Sequence, residues 1–399
     1  MPTSLFRNPS CRNKILNRRT LPLVTSDLEK LVALAARGLI GMFDEKRQLF
    51  CHRLVRTNQG LVKVGHSPRY TIMTLLGLQE LERSGGQSPF DTQAVYKSLV
   101  SDSSWIQSVG NLGLLVWLTA EFQPDMVDGL RQKMVLDKAL DHYSDAREGR
   151  TMELAWLLAG LAHAVKARPK LTEPLTPLAS ETYRRLLENQ GRHGFFGHLH
   201  TKKSVMGRLR GKIGSFADQI YPIYALSRFA KSFHVEEALT PARKCAEAIC
   251  KAQGELGQWW WLYDSQSGRV SSPYPVYSVH QHAMAPMGLF ALEEASGESY
   301  QTAIYKGLRW IYGTNELGVD MRDCKLNVIW RCVLPKNKRS TYHETALSLM
   351  GIASKEARKE DLEVLHEDWP YELGWLLFAF AKRSASEAKG MSLSSPLRA

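Results

Sequence analysis

Along the chain a two-residue polar or aromatic step recurs, each time opening an apolar stretch that carries a small residue eight positions after the step begins. The instances are Arg69-Tyr70 (RYTIMTLLGL), Asn111-Leu112 (NLGLLVWLTA), Met152-Glu153 (MELAWLLAGL), Ala217-Asp218 (ADQIYPIYAL), His280-Gln281 (HQHAMAPMGL), His343-Glu344 (HETALSLMGI) and Tyr371-Glu372 (YELGWLLFAF). Helices apolar nearly all round are helices buried on every side. Amphipathic stretches precede them, near 26–41, 91–101, 127–142, 173–190, 237–252, 299–313 and 355–366. Each of these covers a core with one face and meets water with the other. The alternation predicts an all-α fold, an (α/α)6-7 toroid of inner and outer helices with long loops on one face. Unequal spacing of the steps argues against an open solenoid, whose period is nearly constant.

Three of the amphipathic stretches end alike. Gln190-Gly-Arg-His-Gly194-Phe195, Gln253-Gly-Glu-Leu-Gly257-Gln-Trp259 and the more degenerate Thr314-Asn-Glu-Leu-Gly318 place a polar residue four before a glycine. Such a pattern stops a helix at Gly and leaves the polar side chain to bond the last carbonyls. It resembles the QxxxGxW repeat of terpenoid cyclases, and the whole layout resembles the α/α-toroid superfamily that also holds many glycan-processing enzymes. The resemblance implies one toroid domain over 26–386, between a flexible basic arm (1–25) and a flexible tail (387–399). A clasp motif of this kind names no reaction.

Charge changes the picture more than composition does. The 399 residues are 44% hydrophobic, enough for a large core, yet carry a net charge of +12. Much of the excess lies in the loops that lead from an outer to an inner helix: Lys46, Arg47, Arg53, Arg56, Lys63 and Arg69; then Lys202, Lys203, Arg208, Arg210 and Lys212; then Arg322, Lys325, Arg331, Lys336, Lys338 and Arg339. In a ring of hairpins these loops emerge on one end, so they focus a field that attracts an anionic ligand. An anionic glycan or other anionic small molecule is the expected partner, without nucleic acid and without stable membrane insertion. No apolar run reaches the length of a membrane span, and the first 25 residues lack an apolar core of the kind a secretory signal needs, so a cytoplasmic protein is expected.

Six cysteines, Cys11, Cys51, Cys245, Cys250, Cys324 and Cys332, form no CxxC pair and read as reduced thiols, with no metal site and no cofactor expected. The phosphate-binding GxxxxGK[ST], the dinucleotide GxGxxG, GxSxG and HExxH are all missing, as are the DDxxD and DxDD acids of terpene cyclases.

The inner-helix starts face the basic loops, so the step residues are the candidate site. His280, His343, Asp218, Glu153, Glu344 and Tyr277 are the expected catalytic groups: histidines titrate near neutral pH, and paired carboxylates serve as general acid and base. For the carboxylates the plain alternative is capping of helix N-termini. Arg69, Tyr70, Gln281, His282, Trp260, Trp330 and Arg331 are the expected substrate-binding groups, aromatic faces for sugar rings and guanidinium groups for a carboxylate. The fold resemblance together with these residues implies an enzyme of lyase, epimerase or hydrolase chemistry on a uronate-containing or otherwise acidic glycan. Alternatives from other classes are a terpenoid or prenyl-diphosphate cyclase-like enzyme and a non-catalytic glycan-binding toroid.

Overall fold

The alternation of amphipathic and apolar stretches becomes, in the computed structural model, two concentric rings of helices. Residues 25–199, 211–337 and 357–393 are described; His343, Glu344, the run 200–210 and both extreme termini lie outside them. The helices run as outer–inner pairs: α1 (Thr25–Ile40) and α2 (Pro68–Arg83), α3 (Thr92–Ser101) and α4 (Val109–Phe122), α5 (Val127–Lys133) and α6 (Thr151–Ala167). They continue as α7 (Thr172–Leu187) and α8 (Ala217–Phe233), α9 (Leu239–Lys251) and α10 (Ala285–Ser296), then α11 (Gln301–Trp310) and α12 (Pro370–Leu393). Each even-numbered helix packs on the next, and α12 closes the ring by packing on both α10 and α2. This is the α/α toroid, closed by the six described inner helices.

The recurring small residue has a steric reason. A Cβ on Gly77 of α2 would lie 2.0 Å from the Gly374 carbonyl oxygen of α12, and one on Gly160 of α6 would lie 2.1 Å from that of Gly113 in α4. Neighbouring inner helices touch backbone to backbone at these points, so no side chain fits.

The clasps do more than finish their own helices. Gln190 Nε2 donates to the Gly194 carbonyl at 3.0 Å and to Pro241 of α9 at 2.8 Å. Gln253 repeats this with Gly257 at 3.1 Å and Ala303 of α11 at 2.9 Å. Each glutamine thus stitches one outer helix to the next. In the third copy Asn315 takes the part, bonding the Trp310 and Val319 carbonyls.

Two expectations need correction. The amphipathic segment 127–142 is not one helix: it breaks at Val135, whose backbone takes φ 47°, into short turns Leu136–Lys138 and Ala139–His142. Segment 355–366 is not helical over its described part. After a single turn at Lys359–Asp361 it runs extended from Leu362 to Leu365 and pairs with Cys332–Pro335, which pairs in turn with Val276–Tyr277. Cross-strand partners on this small sheet win over the weak helical pattern.

Long loops at the inner-helix starts are likewise folded into small sheets. The basic segment after α1 is a hairpin, Leu49–Thr57 with Gly60–His66, extended by Glu367–Asp368. Ile213–Ser215, Leu262–Asp264 and Arg269–Ser272 form another. These sheets cap one end of the ring and hold the approach to α2, α8, α10 and α12. Among the described residues no helix is long and apolar enough to cross a membrane.

Candidate functional site

Ser67 and Ser108 cap α2 and α4, their hydroxyls accepting from the Tyr70 and Asn111 amides. Capping fixes where each inner helix begins and therefore where its first side chains point. From α2, Arg69 reaches across to its neighbours: Nε donates to Asn111 Oδ1 at 2.5 Å, and a terminal nitrogen lies 3.2 Å from Glu153. Its guanidinium covers the Trp156 ring at 4.7 Å. Glu153 also accepts from the Ser108 hydroxyl at 2.7 Å and from the Gly110 amide of α4 at 3.1 Å. It therefore caps the adjacent inner helix and anchors Arg69, which is the capping role foreseen for carboxylates at these starts, carried out on a neighbour.

Arg331 stands at the centre of a second group. It pairs with Glu372 at the start of α12, and its guanidinium lies 3.5 Å from the Trp369 ring and 4.9 Å from that of Tyr277. Around it Tyr70 packs on Tyr371 at 4.6 Å and stacks on His52 at 5.3 Å, while His52 lies 4.6 Å from Trp369. Glu372 is 0% exposed and its Oε2 has no hydrogen-bond partner. Burial pushes its carboxyl up to about 7; the Arg331 charge opposes that rise and Glu367 adds to it. A carboxyl that titrates near neutrality, beside a guanidinium held flat between aromatic rings, is able both to hold an anion and to move a proton. Burial also raises Tyr70, and it raises Tyr277 to about 12, so both phenols stay protonated and act as donors.

Asp218 opens a third group. Its Oδ2 accepts from the Ser215 amide at 2.8 Å and hydroxyl at 2.9 Å, while the Asp218 amide donates back to Ser215 Oγ, a reciprocal cap at the start of α8. The same oxygen lies 3.2 Å from His198 Nδ1, and Oδ1 is buried without a partner. A carboxylate behind an imidazole orients it and steadies its charged form.

Several expected residues are engaged in packing or in backbone hydrogen bonds. His280 packs against Phe216 at 4.6 Å and Tyr277 at 5.2 Å, with Nδ1 3.4 Å from the Trp259 carbonyl. Burial drives it down to about 3, and the nearby Arg331 charge adds to the fall. Gln281 is 0% exposed: its amide accepts from the Trp259 backbone N–H and donates to the Trp259 and Tyr277 carbonyls. Gln219, one residue after Asp218, makes the same exchange with both backbone groups of Phe196. Gln281 is thus a repeat clasp, not a sugar-binding group. His282 is 0% exposed with neither ring nitrogen partnered, and Trp260 donates to the Ala252 carbonyl at 2.8 Å from a buried position. Both brace the wall. Trp330 is 5% exposed, edge-on to His366 at 4.8 Å, with the Arg56 guanidinium over its ring at 5.7 Å.

The structure therefore brings together Arg69 with Glu153, and Tyr70, Tyr277 and Arg331 with His52, Trp369, Tyr371 and Glu372. Among the described residues Asp218, Glu153 and His280 make no hydrogen bond to one another. His52 follows the adjacent buried pair Phe50 and Cys51 in LFCHRLVRT, which breaks strict alternation, so the sequence carried no clear signal for it. Trp369 lies just before the last step, and Glu372 is the second residue of that step. No three His, Cys, Asp or Glu side chains among the described residues converge as a metal site.

No family model matches this chain, and no curated protein matches it. Solved structures do. A cellobiose 2-epimerase from Bacillus thermoamylovorans B4167 is similar at TM-score 0.61 and 11% identity, over 90% of this chain and 99% of its own. An unsaturated glucuronyl hydrolase from Streptcoccus agalactiae gives 0.60 and 12%, over 92% and 93%. A possible member of the GH105 family from Klebsiella pneumoniae subsp. pneumoniae MGH 78578 gives 0.58 and 12%, over 96% and 100%. At such identities the likeness shows the α/α-toroid fold across nearly the whole chain.

Proposed function

We propose that this chain is a carbohydrate-active enzyme that binds an anionic, uronate-bearing glycan at the inner-helix starts and transforms it by proton transfer. The Arg331–Glu372 pair within its aromatic enclosure carries the reading. Arg331 and the Tyr70 and Tyr277 hydroxyls bind the uronate carboxylate, Trp369 and His52 face the sugar ring, and Glu372 exchanges a proton with it. Arg69, steadied by Glu153, lines the same end with positive charge, and the Asp218–His198 pair supplies a second acid–base group. Names of similar structures support a glycan as substrate, among them unsaturated glucuronyl hydrolases, a cellobiose 2-epimerase and a polysaccharide lyase. Arg331 beside Glu372 favours an acidic sugar over a neutral one. His343 and Glu344, outside the described residues, belong to the proposal as the sequence reading has them. A reducing, cytoplasmic setting is part of it too, supported by the five described cysteines, none of which is bridged.

Acidic oligosaccharides with internal and terminal uronates, unsaturated ones included, test the proposal through three readouts: absorbance of the unsaturated uronate, deuterium uptake from solvent, and new reducing ends. Gain of absorbance marks elimination, deuterium uptake epimerisation, and new ends hydrolysis. Silence in all three sinks the proposal. With an active substrate, kcat/KM falls as pH rises through about 7, because Glu372 acts while protonated. Glu372→Gln loses that limb and on the order of 10² to 10⁴ in kcat. A limb that survives in the variant removes Glu372 from the chemistry.

A further inference from the structure

The start of α12 is approached through a short strand whose side chains alternate. Glu367–Asp368 pairs antiparallel with the basic hairpin, Glu367 opposite Val55 and Asp368 opposite Leu54. Successive residues of a strand point to opposite faces, and every second one returns to the same face. Asp368 is 0% exposed, its carboxylate accepting from the Ile329 amide at 3.0 Å and from the Trp369 amide at 2.8 Å. Glu367 and Trp369 meet on the other side, where Glu367 Oε2 accepts from Trp369 Nε1 at 3.1 Å.

Trp369 is thus held at its amide, its carbonyl and its indole. Asp368 takes the amide, and the carbonyl accepts from the Glu372 amide at 3.0 Å. Those bonds fix the backbone. The indole bond to Glu367 sets the ring, which lies 3.5 Å from the Arg331 guanidinium, and Arg331 in turn pairs with Glu372. The other contact of the Glu367 carboxylate is looser: Arg53 Nε lies 3.7 Å from Oε1, beyond hydrogen-bond reach, and is buried without a hydrogen-bond partner.

Charge connects the same residues. Glu372 is faced by Arg331 and Cys332 from one strand, by Glu367 and Asp368 from another, by Tyr70 of α2, and by Tyr277 and its own neighbour Tyr371. Burial keeps the thiol and the three phenols protonated and pushes the Asp368 carboxyl up. Beyond its own burial, the charges acting on Glu372 are Arg331, which holds its carboxyl down, and Glu367, which pushes it up.

We propose that Glu367 is a positioning residue of the loop-end site: its carboxylate fixes the Trp369 indole over the Arg331 guanidinium, and with it the partner of Glu372 and the face offered to a sugar ring. The effect on a substrate rests on the glycan reading; the arrangement of these side chains does not. The rival account is that Glu367 only ties its strand to the hairpin through Arg53.

Two nuclear magnetic resonance signals of the full chain separate the accounts without substrate: the Trp369 indole N–H, assigned by its loss in Trp369→Phe, and the Glu372 carboxyl, assigned by its loss in Glu372→Gln. Glu367→Gln keeps an oxygen that accepts from the indole, so the first signal stays in place, while the titration of the second moves to lower pH because a facing negative charge is gone. Glu367→Ala shifts the indole signal as well, and Arg53→Met moves neither. With an active acidic oligosaccharide, Glu367→Ala raises KM about tenfold and changes kcat far less, the scale of one lost ring–cation contact. An indole signal unmoved in Glu367→Ala, a Glu372 titration unmoved in Glu367→Gln, or an Arg53→Met that reproduces the alanine variant overturns the proposal. Lack of turnover on every acidic glycan sinks the glycan reading alone, and the two signals still decide the role of Glu367.

Discussion

His280 and His282 show how far burial sets the chemistry of single residues. Both imidazoles are neutral in the fold, driven down to about 3 chiefly by burial, whereas the ordinary histidine value is 6.5. Their folded values lie below the unfolded one, so the stability tied to them is complete above pH 6.5 and is lost as pH falls from there toward 3. His282→Leu is expected to flatten the decline of melting temperature across that window. Near pH 8 it changes stability by no more than about 1 kcal/mol, since two unmet ring nitrogens leave with the side chain. Melting curves from pH 8 to pH 4 check this; an equally steep decline in the variant contradicts it. Glu372 moves in the opposite direction for the same reason, because burial disfavours whichever form is charged.

Between elements, the inner ring depends on close backbone approach. Gly160→Leu forces α4 and α6 apart, since even a Cβ would lie 2.1 Å from the Gly113 carbonyl oxygen. A loss of about 3 kcal/mol is expected from such overpacking, read as a fall in the urea midpoint. Gly129→Ala in α5 is the comparison: a Cβ there meets nothing within 4 Å, so the exchange is expected to stabilise by about 0.5 kcal/mol. Equal effects at both positions would overturn the packing argument. The repeated step was legible from the sequence because these contacts demand a small residue at one place in each helix. The strand Leu362–Leu365 was not, because its partners at Cys332–Pro335 are set by the fold and not by local pattern.

Taken whole, the molecule gathers charge on one end of a ring whose axis is filled. Arg56 and Lys63 stand on the hairpin at the loop end of the ring, Arg56 exposed beside Trp330. Under the glycan proposal they draw in the substrate without touching the reacting atoms. Arg56→Glu is expected to raise KM for an acidic oligosaccharide by about tenfold at low salt, with kcat unchanged and the difference shrinking as salt rises. A change in kcat with KM preserved places Arg56 in the chemistry instead.

Local pattern alone determined the inner helices that are described, their alternation with outer ones and the small residue each carries, because each rests on periodicity or on one residue's size. Tertiary structure decided the roles at the described inner-helix starts. It set Glu153 to capping a neighbouring helix, Gln281 to clasping backbone and His280 to the wall. It also assembled Arg331, Glu372, Trp369 and His52 from three separate stretches of chain. Burial and cross-chain hydrogen bonding fix such roles, and both depend on what the rest of the chain places alongside.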